Sequence, residues 1–158
     1  MARKYDIEDV LTDMKSVCTT NLATKLLEID AEKADRALLP VNANAYFFQS
    51  LEHAKAAAFP VFIYYWMEDP TADGLGPNTL QDLEISFVVV LKDTAENDFY
   101  LTRMLRYSRA LKEIFEQSCT GNMKHLRMLI SSLSPVTFMI EGADTSFHAA
   151  GIKLRVKL

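Results

Sequence analysis

Cysteine is scarce in this 158-residue chain, and the shortage excludes whole classes of chemistry. Its two cysteines, Cys18 and Cys119, are far apart and have no second Cys or His at ligand spacing. Neither a zinc site nor a redox pair is suggested, and free thiols in a reducing compartment are the plain reading. The three histidines, His53, His125 and His148, fall into no metal-ligand spacing either. There is no Gly-x-Ser-x-Gly elbow, and neither cysteine has a partner that would activate it. Gly74-Leu-Gly76 imitates a phosphate-binding turn, but it lacks the third glycine and the lysine and leads into a strand rather than a helix. No apolar run approaches the ~18 residues needed to cross a bilayer. The opening Met1-Ala-Arg-Lys-Tyr-Asp-Ile-Glu has two basic residues with no apolar stretch behind them, unlike a signal peptide. The expectations are therefore a protein made in the cytoplasm, with no membrane partner, metal or cofactor and no readable catalytic site.

What is present is the composition of an ordinary globular domain, 49% apolar and 24% charged. The length suits a single domain over 1–158, since domains commonly run to roughly 100–200 residues. Such a chain can bury about two-thirds of its unfolded surface and needs no disulfide or metal to fold. Seventeen basic against 21 acidic residues give a net charge of −4, which argues against broad electrostatic binding to nucleic acid.

Periodicity divides the chain into elements. Ile7, Val10, Leu11, Met14, Val17, Cys18, Leu22, Leu26 and Ile29 recur at three- and four-residue steps and predict a helix to about Lys33. Asp6 can cap its start, and Thr19-Thr20-Asn21 predicts a break or kink within it. Residues 41–58 are ambiguous, with a turn at Asn42-Ala-Asn44, a short strand at Ala45 to Gln49, and a helical turn or two from Leu51 to Ala58. Phe59 to Met67 is dense in aromatic and β-branched residues on both faces, as a doubly buried strand would be. Turn chemistry fills 68–82, and Leu83 to Lys92 is a second long strand with one wholly apolar face, Leu83, Ile85, Phe87, Val89 and Leu91. The two strands suggest an extended β-hairpin. A second helix is predicted from Phe99 to Ser118, with Leu101, Met104, Leu105, Ser108, Leu111 and Phe115 on one side and Gly121-Asn122 ending it. Met123 to Leu133 fits either a short helix or a strand; Val136 to Glu141 and His148 to Leu158 read as strands around a turn at 142–146. The fold class expected is α+β, an antiparallel or mixed sheet with two main helices packed on one face and a long hairpin.

Three features stand above background. The second helix carries Arg103, Arg106, Arg109 and Lys112 at three-residue steps, a broad basic stripe. It is either a solvated face with local pairs such as Arg109 to Glu113, or a contact for the acidic loop of a neighbouring subunit, where Glu68, Asp69, Asp73 and Asp82 concentrate. In the final strand Lys153, Arg155 and Lys157 share one face. They either guard an edge strand against unwanted pairing or line a surface facing nucleic acid or an acidic neighbour. Tyr64, Tyr65 and Trp66 sit in a strand apolar on both faces, so residues 41–58 or a neighbouring subunit must cover the second one.

The order of helix, strand pair, helix and strand pair, with Arg103-x-x-Arg106-Tyr107-x-Arg109-Ala110-Leu111 in the second helix, resembles the tail terminator proteins of tailed bacteriophages. The wider relatives are the neck and tail-completion proteins of the head–tail junction. The resemblance covers nearly the whole chain by pattern and order, and no single motif in it is diagnostic. It implies a virion protein that forms a hexameric ring on the tail tube, stops tube polymerisation and presents a surface to neck or connector proteins. DNA passes through the lumen without being read, and the family has no catalytic residues. Tyr64, Trp66, Glu68, Asp69, Asp73, Arg103, Arg106, Arg109 and Lys112 are the candidate subunit interface, and Lys153, Arg155 and Lys157 the candidate lumen- or neighbour-facing strand. A different class of function is a small α+β enzyme or ligand-binding domain with a site assembled around His53, Glu68 and Asp82; a bound metal or cofactor in the purified protein would mark it.

Overall fold

The computed structural model describes residues 7–33, 38, 41, 46–48, 61–68, 82–93, 100–120, 127–138 and 146–157. Ile7–Lys33 forms helix α1, with Glu8 and Asp9 in its first turn and Lys33 in its last, as the helix dipole favours. Met14, Cys18, Leu22, Leu26 and Ile29 are buried along one stripe, flanked by the partly buried Leu11 and Val17. The helix runs unbroken through Thr19-Thr20-Asn21, where the sequence predicts a break. The Thr19 hydroxyl donates to the Lys15 carbonyl at 2.9 Å, and the Asn21 amide to the Val17 carbonyl at 3.0 Å. Each polar side chain takes the carbonyl four residues back, so its competition with the backbone is resolved inside the helix. Beyond the helix, the Leu38 N–H donates to both Asp30 carboxylate oxygens, at 3.0 and 2.9 Å, and Leu38 and Val41 are buried.

The strands are β1 (Tyr46–Phe48), β2 (Val61–Glu68), β3 (Asp82–Asp93), β4 (Arg127–Phe138) and β5 (Ser146–Lys157), with helix α2 (Tyr100–Thr120) between β3 and β4. They form one sheet in the order β1-β2-β3-β5-β4. β1 is parallel to β2 and every other pair is antiparallel, so the fold is α+β with a mixed sheet. β2 and β3 pair from Val61↔Leu91 to Glu68↔Glu84; the expected hairpin loop lies outside the described residues.

Both helices cover the same side of the sheet. Phe87 of β3 lies between Tyr65 of β2, at 6.0 Å between ring centroids, and Phe115 of α2, at 5.4 Å. The Lys15 ammonium of α1 stands 5.0 Å above the Tyr65 ring. Val61, Ile63 and Tyr65 of β2, Ile85, Phe87, Val89 and Leu91 of β3, and Ile152 and Leu154 of β5 join the helices in one core cluster. Burying a large apolar side chain of this kind contributes about 1.5–3 kcal/mol. The apolar face read for β3 is thus the helix-facing one.

Three further sequence readings need correction. On α2, Leu105 is 46% exposed, while Tyr107, Ala110 and Ile114 are buried beside Met104, Ser108, Leu111 and Phe115. At about 100° per residue the stripe centred on Leu111 takes in 107, 110 and 114 and leaves 105 outside. Met123 to Leu133 and Val136 to Glu141 are not separate elements, because Arg127–Phe138 is a single strand. β5 is no edge strand: it lies between β3 and β4, and among the described strands the edges are β1 and β4.

Candidate functional site

Helix α2 places the basic row on its outer side, but the four residues do not form one patch. Each three-residue step carries the next member about 60° around the axis. Arg103 therefore borders the buried stripe, while Lys112 is exposed. The Arg103 Nε is buried and has no hydrogen-bond partner among the described residues.

Arg109 is committed within the chain. Its Nη1 and Nη2 donate to Glu32 Oε2 and Oε1 of α1 at 2.7 and 3.1 Å, and its Nε donates to Glu113 Oε1 at 2.6 Å. The first of these contacts is the paired fork by which a guanidinium grips a carboxylate. Glu113 also faces Lys25 Nζ at 3.5 Å, and Lys25 bonds Glu28 at 2.6 Å. Five charged residues thus stitch α1 to α2. The bonds from Glu32 and Glu113 hold the Arg109 guanidinium well above its usual range, and the bond to Glu28 raises the Lys25 ammonium. The Arg109 bond lowers the Glu32 carboxyl. Lys112 stands 3.8 Å from Glu116 one turn on. The Arg109–Glu113 pair was legible as an i,i+4 spacing; the Glu32 contact, 77 residues away in sequence, had no local signal.

The sheet distributes the other candidates by register. Tyr64, Trp66 and Glu68 of β2 pair with Val88, Ser86 and Glu84 of β3. Ser86, Val88 and Val90 are buried as well as their odd-numbered neighbours, so the chain itself covers β3 on both sides. Lys153, Arg155 and Lys157 of β5 pair with Ser86, Glu84 and Asp82 of β3. Two of the three basic positions thus stand opposite acidic ones in the register. On the other side of β5, Arg155 and Lys157 meet Leu129 and Arg127 of β4.

Glu68 pairs with Glu84 at the end of the β2–β3 ladder, and Asp82, two residues before Glu84, pairs with Lys157 of β5. Asp69, Asp73 and His53 lie outside the described residues. Among the described residues there is no group of three His, Cys, Asp or Glu that could hold a metal ion, and no helix is long and apolar enough to cross a membrane. Cys18 is buried in the core, and burial pushes its thiol well above the usual range, away from the thiolate a nucleophile needs. No protein-family model matches the chain, and no curated protein is significantly similar to it.

Proposed function

We propose that this protein is a structural subunit of a tailed-phage virion, forming a ring at the head-proximal end of the tail. In that role it terminates tail-tube polymerisation and joins the tail to neck or connector proteins, with DNA passing unread through the lumen. One observation supports the reading: a helix, a short strand and the β2–β3 pair, then a second helix bearing the Arg-rich sequence Arg103 to Leu111, and a closing strand pair. In this reading β2, β3 and residues 69–81 form one extended hairpin. Its acidic residues Glu68, Asp69 and Asp73 meet the Arg103 and Arg106 side of α2 on the next subunit. A heterologous ring needs two different complementary patches on each copy, and these supply them. Arg109 and Lys112 also have acidic partners in their own chain. Lys153, Arg155 and Lys157 face the lumen or a neighbour in this reading, with Glu84 and Asp82 opposite Arg155 and Lys157 in the register.

Light scattering on size-exclusion fractions, followed by negative-stain microscopy, tests the assignment. Six-fold rings, in solution or on the ends of tail tubes, are expected. A chain that stays monomeric at every concentration and binds no tube end overturns it. A metal or organic cofactor that copurifies at one per chain favours instead a site around His53, Glu68 and Asp82.

A further inference from the structure

β4 is an edge strand, and among the described residues no strand pairs with its outer side. A free edge of this length is a template for another strand. The register with β5 shows how the backbone answers that hazard. Pro135 pairs with Ala150, between Ser134↔Gly151 and Val136↔Ala149. An antiparallel pair that exchanges both N–H···O bonds needs an N–H on each member, and proline has none. The Pro135–Ala150 pair is therefore of the other kind, in which the nitrogen of residue 135 is directed away from β5. By alternation, the N–H groups of Ser134 and Val136 serve β5, while those of Leu133 and Thr137 reach the outer edge, with Pro135 between them. The outer row of donors is broken at its centre. Four residues earlier Ser131 has no partner in the register, a bulge between Ile130 and Ser132 that bends the strand.

We propose that Pro135, backed by the bulge at Ser131, keeps the outer edge of β4 from pairing with the β4 edge of a second copy of this chain. The antiparallel two-fold register that would otherwise suit two such edges sets 133 against 137 and 135 against 135. Proline, which has no N–H, removes both bonds of that central pair. The inference is independent of the ring assignment. It states that self-association of any kind uses surfaces other than this sheet edge.

Amide exchange on the wild-type protein is the first test, read by NMR. The amides of Leu133 and Thr137 exchange at least about tenfold faster than those of Ser134 and Val136, which bond β5. Equal protection of all four overturns the proposal. The second test is Pro135→Val, checked for folding by circular dichroism. In sedimentation velocity it gains a concentration-dependent species absent from the wild type, and the amides of 133 and 137 become protected in that species. A folded variant that sediments like the wild type overturns the proposal; if the variant fails to fold, the wild-type exchange pattern decides.

Discussion

Gly151 of β5 lies so close to Phe87 of β3 that a Cβ at position 151 would collide with the Phe87 carbonyl oxygen and stand 2.8 Å from Val88 Cα. The obstruction is backbone, which cannot swing aside as a side-chain tip can. Gly151→Ala must therefore push two central strands apart, and we expect a loss of about 3 kcal/mol or more. Urea denaturation checks this, and a variant as stable as the wild type would mean that β3 and β5 are farther apart at this row.

Ser108 gives the opposite expectation. It is fully buried on α2, and its hydroxyl has no hydrogen-bond partner among the described residues. Replacing it with alanine removes an uncompensated polar group and raises helix propensity, so Ser108→Ala should be neutral or gain about 1 kcal/mol. A loss above about 1 kcal/mol in thermal unfolding would reveal a bonding partner for the hydroxyl.

The ion network between α1 and α2 should answer to salt and pH. Glu113 accepts from Arg109 and faces Lys25, so Glu113→Gln is expected to cost about 1 kcal/mol at low ionic strength and less in 1 M salt. Glu32 is held below the usual carboxylate range by Arg109. A carboxyl whose folded pKa is depressed stabilises above its unfolded pKa and loses that contribution as pH falls through the folded value. The difference between wild type and Glu32→Gln should thus hold from neutral pH to about 4.3, shrink below that, and vanish only once pH has fallen through the lowered folded value. A difference unchanged down to pH 2 would show that the charge on Glu32 is not what matters.

Cys18 should be inert until the protein opens. Its burial and raised thiol pKa predict alkylation by iodoacetamide on the order of 100-fold slower in the native state than in urea, followed by mass spectrometry of its peptide. Matching rates would place Cys18 at a surface.

The parts of the fold that were legible in the sequence are those written in local spacing. Helix α1, the apolar face of β3, strand β5 and the Arg109–Glu113 pair follow from steps of two, three or four residues, and strand β2 from its run of aromatic and β-branched residues. β4 did not announce itself, since its run of Ser131, Ser132, Ser134 and Pro135 has weak strand preference. Pairing with β5 along nearly its whole length overrides that preference. The position of β5 inside the sheet and the Arg109–Glu32 fork are long-range, and no window of the sequence contains both members. For the candidate site, the stripe on α2 was visible but its partners were not. Arg109 looked available to a neighbour because the acid that occupies it belongs to the other helix.

Finally, the strand order bears on how the chain is born. β5 is synthesised after β4, yet it is the strand that closes β3. From Asp93 to Ser146, at about 5–20 residues per second, the ribosome needs roughly 3–10 s to deliver it. Throughout that interval the nascent Ile85-Ser-Phe-Val-Val-Val-Leu91 segment has one side without its final partner. A sticky ribbon exposed for seconds is a natural client for a holdase chaperone, and yield from overexpression should depend more on that delay than on the stability of the finished fold.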